Sequence, residues 1–204
     1  MSIVLHACCG PCLIEPFDAL AANDDVVVVF ANPNIAPDDE YQRRRETLRS
    51  YAATVGAEAV ELAYDHDLWR NAVCGLEHDQ PARCAACYRL RLGMTADWAR
   101  RHGYERIATT LTVSPYQDTE SIRRAGEEAA GLAGVAYVHR DFRDRYPSAT
   151  ARARELGLYR QNYCGCPFSQ KEAEDTRARR RAEREASRLA RQAESSECWT
   201  SVDV

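Results

Sequence analysis

Near its amino terminus the chain carries the stretch Ile3-Val4-Leu5-His6-Ala7-Cys8-Cys9-Gly10-Pro11-Cys12. Its apolar beginning predicts a short buried strand over residues 2–7, and the Gly-Pro pair predicts a turn into a helix over 12–22. Three cysteines therefore follow the first strand within five positions. Two later segments are equally rich in thiols, namely Cys84-Ala85-Ala86-Cys87 and Cys164-Gly165-Cys166. Thiols grouped in this way indicate a metal, an iron–sulfur cluster or a redox reaction.

Strands and helices alternate along the rest of the chain. Hydrophobic periodicity and helix-end signals predict strands at 26–30, 57–64, 106–113 and 135–140, and helices at 37–56, 88–102, 119–132 and 148–157. The polar segment 65–83 is predicted to be irregular and to lead to the second cysteine pair. This alternation predicts an α/β fold in which helices flank a parallel sheet.

In such sheets, ligands bind beyond the carboxyl ends of the strands. Three loops directly follow predicted strands, and they contain Cys8–Cys12, Asn32-Pro33-Asn34 and Ser114–Asp118. We therefore expect these loops to lie at one edge of the sheet.

Length and charge bound the organisation of the chain. Its 204 residues suffice for one domain with an extension, and we predict a catalytic domain over 1–170 and a charged, helical or partly disordered extension over 171–204. The net charge of −4 excludes a global basic field for nucleic acid. A local basic patch is predicted at 140–160, where six arginines and three acids are interleaved with tyrosines.

The sequence also indicates a compartment. Its apolar runs are much shorter than the ~20 residues needed to cross a bilayer, and it has no recognisable signal peptide. We therefore predict a cytoplasmic protein without membrane association. Structural disulfides are rare in that compartment, and the odd number of nine cysteines cannot pair completely.

The cysteines allow more than one kind of site. Cys9, Cys12, Cys84 and Cys87 can form a structural zinc site from two CxxC pairs, although Cys8 has no role in it and the pairs are far apart in sequence. Alternatively, Cys8 and Cys9 join Cys84 and Cys87 in a four-sulfur site for zinc or an iron–sulfur cluster. Cys12 is then left either as a ligand of a second metal or as a helix cap. Cys74 and Cys198 are interpreted as bystanders.

The Cys164-Gly165-Cys166 segment forms a small, strained ring when its thiols are oxidised. Strained disulfides are labile, so this pair is a candidate two-electron relay, and the alternative is that its thiols are metal ligands or simply buried. His6 is either a proton donor or a hydrogen-bonded core residue. Asp118 lies in a strand-exit loop, where catalytic groups concentrate, although turn formation explains it equally well.

Five segments form a combination found in a known family. They are His6-x-Cys8-Cys9-x-Pro11-Cys12, Asn32-Pro33-Asn34-Ile35, Cys84-x-x-Cys87, Thr109-Thr110-Leu111-x-Val113-Ser114-Pro115 and Leu158-Tyr159-Arg160-Gln161-Asn162-Tyr163-Cys164-Gly165-Cys166-x-Phe168-Ser169. Together they resemble the QueH-type epoxyqueuosine reductases over about residues 2–170. The double cysteine combined with the later CxC pair is the most specific part of this resemblance.

The resemblance implies a Rossmann-like fold of the adenine nucleotide α-hydrolase type. It also implies that Cys8, Cys9, Cys84 and Cys87 hold a [4Fe–4S] cluster and that Cys164 and Cys166 form a redox-active disulfide. A second mononuclear metal, iron or zinc, is associated with the family, and Cys12 is its candidate ligand here.

The implied reaction is the last step of queuosine synthesis, in which the epoxide of epoxyqueuosine at the tRNA wobble position is reduced to an alkene. Removing the oxygen as water takes two electrons and two protons, so a reductant or electron-transfer protein is required as a partner. Asp118, Tyr163 and His6 are the candidate proton donors. Two alternatives stay open on the residues alone: a thiol–disulfide oxidoreductase with structural zinc, and a zinc-stabilised RNA-binding module.

Overall fold

The computed structural model describes the backbone of residues 1–200 and the side chains of 1–189, 191 and 192. It contains five strands: β1 (Ser2–His6), β2 (Asp25–Phe30), β3 (Glu58–Glu61), β4 (Arg106–Thr109) and β5 (Ala136–Tyr137). All of them are parallel, in the order β3-β2-β1-β4-β5. The strand order reverses between β1 and β4, which creates the switch point where ligands bind in open α/β sheets. The predicted α/β, Rossmann-like class is confirmed.

Seven α-helices accompany the sheet within residues 1–200: α1 (Gly10–Ala21), α2 (Asp38–Thr54), α3 (His66–Ala72), α4 (Gln80–Arg101), α5 (Thr119–Ala133), α6 (Tyr146–Glu155) and α7 (Pro167–Thr200). The sheet divides the core into two layers, because successive side chains of a strand point to opposite faces. In β1, Ile3 and Leu5 pack with α1, α2 and α6, whereas Val4 packs with α4 and α5. Burial on both faces explains why the central strands are continuous apolar runs.

The structure corrects several predicted boundaries. The prediction that 65–83 is irregular is wrong, since α3 lies within it and α4 begins at Gln80 rather than at 88. The Asp79 carboxylate accepts the Ala82 N–H at 3.0 Å and caps α4, and Pro81 suits its first turn. Cys84 and Cys87 therefore lie on the helix rather than before it. Strand β4 ends at Thr109 and gives way to a 3₁₀ turn, and β5 has only two residues.

The chain forms two compact units, one of residues 1–161 and a second from Asn162 onward. The second contains Cys164, Cys166 and α7, so it begins before the predicted domain boundary at 170, and that functional division stays a prediction. Helix α7 contains residues 171–200 of the extension, and the side chains from Arg177 to Leu189 are exposed. Cys198 lies outside the described side chains. Within the described part of the chain, no helix has both the length and the apolar character of a membrane span.

Candidate functional site

The first candidate site lies where β1 gives way to α1. Cys9 adopts an extended backbone conformation as the N-cap of α1, and its Sγ accepts the N–H of Cys12 at 3.4 Å. Gly10 permits this arrangement, because a Cβ at that position would lie 2.9 Å from the backbone oxygen of Thr47 in α2. The sulfurs of Cys8, Cys9 and Cys12 consequently lie within 4.8 Å of one another. Cys8 and Cys9 are buried, and Cys12 is half-buried.

The surroundings of the three thiols favour one negative charge on Cys8. Hydrogen bonding from Cys12, and then from Cys9, lowers the pKa of Cys8 well below its ordinary value, with a further contribution from the charge of Arg91. Burial raises the pKa of Cys9, and the hydrogen bond with Cys8 raises that of Cys12. The Thr110 hydroxyl lies 3.7 Å from the Cys8 sulfur and accepts the Cys8 N–H at 3.3 Å. This group can therefore bind a cation through thiolate sulfur.

His6 is the last residue of β1, two positions before Cys8, and is fully buried. Its Nε2 lies 3.2 Å from the carbonyl oxygen of Ala31, which can only accept, so Nε2 carries the proton. Its Nδ1 then accepts from the Thr109 hydroxyl at 2.9 Å. Burial, followed by the charge of Arg91, lowers the pKa of His6 to about 3, so the ring is neutral. These contacts describe a ring that joins β1 to β4 and to the residue that follows β2, and a role as proton donor stays untested.

The loop after β2 is fixed to the cysteine loop by a buried amide. Asn32 donates from Nδ2 to the carbonyl oxygen of Ala7 at 2.9 Å, and its Oδ1 accepts from the Arg91 guanidinium of α4 at 2.5 Å. Arg91 is almost completely buried. The expectation that the Cys8 loop and the Asn32 loop meet at one sheet edge is therefore confirmed, and the same contacts bring a positive charge close to Cys8.

A second buried arginine lies beside Cys9. Arg44 of α2 donates from Nε to Glu40 Oε1 at 2.7 Å, and the other carboxylate oxygen of Glu40 accepts the Tyr159 O–H at 2.6 Å. Two residues further on, Gln161 donates from Nε2 to the Cys9 sulfur at 2.8 Å. Sequence reasoning missed these groups. The only local signal was the Glu40–Arg44 spacing of four residues, which places the two side chains on one helix face.

The donor set fits a soft metal. The Cys8 and Cys9 sulfurs are 3.8 Å apart, which matches the ~3.8 Å separation of two thiolates on one tetrahedral ion with bonds of ~2.3 Å. Cys12, which the sequence set apart, belongs to this close group because it lies one helical turn after Cys9. Cys84 packs against the same apolar cluster as Cys8 and Cys9, and Cys87 is buried three residues further along α4. A four-cysteine ligand set stays a prediction.

The CxC pair belongs to the second unit. Cys164 is half-buried and Cys166 is buried, and no disulfide joins them in this structure. Gly165 between them has a φ of 135°, a conformation that favours glycine. The Cys166 sulfur accepts the N–H of Ser169 at 3.3 Å at the start of α7. Tyr163, directly before the pair, is half-buried.

Asp118 is exposed and serves as the N-cap of α5. Its carboxylate accepts the N–H groups of Glu120 and Ser121, both at 3.1 Å. The loop before it is tied to α4, because the Tyr88 hydroxyl donates to the Gln117 side chain at 2.6 Å. These contacts explain Asp118 without a catalytic role.

Replacing Asp118 by alanine should lower the free energy of unfolding by about 1 kcal/mol, since two N–H groups of α5 lose their acceptor. The corresponding fall in Tm is about 2–4 °C, measurable by thermal denaturation. Asp118→Asn preserves the cap and is the matched control. An unchanged Tm in Asp118→Ala would contradict the capping role, and a loss of activity in a stable Asp118→Asn variant would restore the catalytic one.

The arginine-rich segment 140–160 is partly neutralised. Three of its arginines form ion pairs: Arg143 with Asp141, Arg145 with Glu15, and Arg152 with Glu15 and Asp18. The other three are exposed and are absent from the ion pairs found among the described side chains: Arg140, Arg154 and Arg160. The available positive charge is therefore smaller than the sequence count indicates.

Comparison with known proteins identifies the family. A family model described as "Epoxyqueuosine reductase QueH" matches residues 3–172. Proteins named Epoxyqueuosine reductase QueH are similar to this chain in several bacteria. The relative from Dehalococcoides mccartyi is 34% identical over 173 residues, covering 83% of this chain and 93% of the relative. The one from Thermotoga maritima is 33% identical over 190 residues, covering 87% and 97%, respectively. This chain therefore belongs to the QueH family of epoxyqueuosine reductases.

Proposed function

We propose that this chain reduces the epoxide of epoxyqueuosine at the wobble position of tRNA to the alkene of queuosine. Relatives that are 30–34% identical to it carry the name of that activity. The observation that supports it most directly is the group of three thiols, two buried and one half-buried, at the switch point of the sheet. Open α/β folds bind their ligands at this point of the sheet, and in this chain the side chains there are thiols.

We assign a [4Fe–4S] cluster to Cys8, Cys9, Cys84 and Cys87, and a second metal to Cys12. Because each thiolate of such a cluster binds a different iron, the Cys8 and Cys9 sulfurs would have to move apart from their separation of 3.8 Å in this structure. The support is that these cysteines are soft sulfur donors, and that Cys12 and Cys84 pack against the apolar cluster that contains Cys8 and Cys9. When bound, the cluster would supply single electrons and the second metal would polarise the epoxide oxygen. The buried arginines nearby, Arg44 and Arg91, favour negative charge on the sulfurs.

The CxC pair balances the reaction. Two thiols, Cys164 and Cys166, give up two electrons and two protons as one S–S bond forms. The epoxide gains the two electrons and the two protons. Its two C–O bonds break, and the products are the alkene and one water molecule. A dithiol or electron-transfer protein must then reduce the disulfide for the next turnover. Cys164 follows Gln161 by only three residues in sequence.

A proton must reach the oxygen as it leaves. Asp118 already caps a helix and His6 is enclosed as a neutral ring, so we assign this role to Tyr163, which is adjacent to Cys164 in sequence. Tyr163→Phe should slow conversion without changing binding of tRNA. An undiminished rate in this variant would exclude the assignment.

The tRNA is proposed to contact the exposed arginines of segment 140–160. A wobble nucleotide lies in a single-stranded loop, so it can enter a pocket without the opening of a duplex. If phosphate contacts dominate, the affinity for tRNA should fall steeply as the salt concentration rises. Binding that is insensitive to salt would exclude this surface.

Because the proposed substrate is tRNA, which is modified in the cytoplasm, we also propose that the protein resides there.

One experiment tests the proposed function. Protein purified without oxygen and reduced should convert epoxyqueuosine-bearing tRNA into a product whose modified nucleoside lacks one oxygen atom, as measured by mass spectrometry. The same preparation should be brown and contain iron. A colourless zinc protein that leaves the nucleoside unchanged would instead support the thiol–disulfide oxidoreductase or the RNA-binding module.

A further inference from the structure

Gln161 makes an unusual contact with the sulfur site. Its Nε2 lies 2.8 Å from the Cys9 sulfur and 3.7 Å from that of Cys12. Cys9 thus accepts two N–H groups, one from this side chain and one from the backbone of Cys12. The hydrogen bond from Cys12 is part of the helix cap. The hydrogen bond from Gln161 comes from a residue 152 positions away along the chain.

The segment that carries Gln161 is anchored at Leu158 and Tyr159. The Tyr159 hydroxyl donates to Glu40 at 2.6 Å, and the Arg43 guanidinium lies 5.0 Å from the centre of the tyrosine ring. Leu158 packs against the core cluster beneath α1 and α2. These contacts fix the backbone two residues before Gln161, so its amide is directed at the sulfur before any metal binds.

We propose that Gln161 is a positioning residue whose amide N–H orients the Cys9 sulfur for metal binding and stabilises added negative charge on the bound centre. Hydrogen bonds to ligand sulfur tune both affinity and reduction potential. The part of this inference that concerns potential rests on the proposed redox function, whereas the part that concerns metal affinity does not. Gln161→Leu removes the donor and keeps a side chain of similar size.

Cobalt(II) is a suitable probe because its bonds to thiolates give intense absorption. Metal-free, reduced protein should develop this band on titration, and Gln161→Leu should bind Co²⁺ about tenfold more weakly and shift the band to longer wavelength. Gln42→Leu, at a half-buried glutamine of α2 whose amide donates to Asp38, is the matched control and should behave as the parent chain. Tyr159→Phe leaves Gln161 intact but loosens its anchor, so it should give a smaller change of the same sign.

A second measurement addresses the potential. After reconstitution with iron and sulfide, the midpoint potential of Gln161→Leu should be more negative by up to about 59 mV, which corresponds to a tenfold change for one electron. Identical cobalt affinity and spectra in Gln161→Leu and the parent chain would overturn the proposal, as would a parent chain without thiolate-to-cobalt absorption. Neither cobalt result depends on tRNA reduction, so each can be separated from a failure of the proposed function.

Discussion

Replacing Cys9 by serine should abolish metal binding and lower the rate of epoxyqueuosine reduction by at least about 100-fold. Loss of groups that only support metal ligands already costs 10–100-fold, and Cys9 is proposed as a ligand itself. Its sulfur lies 3.8 Å from that of Cys8 and is almost completely buried. A hydroxyl oxygen is a hard donor and binds iron or zinc poorly at a thiolate site.

Substitution by serine should remove the metal ligand without unfolding the protein. Cys9 caps α1, and serine is among the preferred N-cap residues, so the Cys12 N–H keeps an acceptor. The Gln161 amide can likewise donate to the new hydroxyl. The Tm of the metal-free protein should therefore change little.

Metal content by elemental analysis and product formation by mass spectrometry are the two measurements for this variant. Cys74→Ser is the matched control, because Cys74 is exposed and outside the group of sulfurs. Full iron content in Cys9→Ser would remove Cys9 from the ligand set. Full metal content without activity would instead give the residue a role other than ligation.

The parallel sheet was predictable because its strands are buried on both faces. Val26 to Phe30 is a continuous apolar run of β-branched residues and phenylalanine, and few structures other than a central strand accommodate it. Helix starts were less certain. Asp79 and Pro81 mark the beginning of α4, yet the polar residues around them favoured a loop, and only packing of the helix against α5 and the sheet decides between the two.

The site was predictable only as far as cysteine density allowed. The double cysteine after β1 indicated sulfur chemistry, but Cys12 was left as a ligand of a second metal or as a helix cap once the other four cysteines had been grouped. The structure starts α1 at Gly10 with Cys9 as cap, and cysteine is not a usual cap residue, so no sequence signal marked this turn.

The charged residues around the site could not have been found from the sequence. Arg44 and Arg91 resemble surface residues of amphipathic helices, and arginine is rarely fully buried unless it is paired. Their partners, Glu40 and Asn32, come from a neighbouring helical turn in the first case and from another element in the second. Only the folded chain shows that both charges face the thiols.

Replacing Cys166 by serine should leave the reduced protein unable to form product in a first turnover without added reductant. The parent chain, reduced and then freed of reductant, stores two electrons in its CxC pair and should convert one epoxide per chain. Serine preserves the acceptor for the Ser169 N–H at the start of α7, so the fold should be retained. The variant lacks the second sulfur, and one thiol cannot supply two electrons by closing an internal disulfide.

Thiol counting makes this prediction quantitative. In the parent chain two thiols should disappear for each alkene formed, and in Cys166→Ser both product and thiol loss should be absent. Cys164→Ser should behave in the same way, and Cys74→Ser should match the parent chain. If Cys166→Ser still formed one product per chain in the absence of reductant, the electrons would have to be stored elsewhere. The CxC pair would then be excluded as the necessary store, and another pair of thiols or a metal centre would have delivered both electrons.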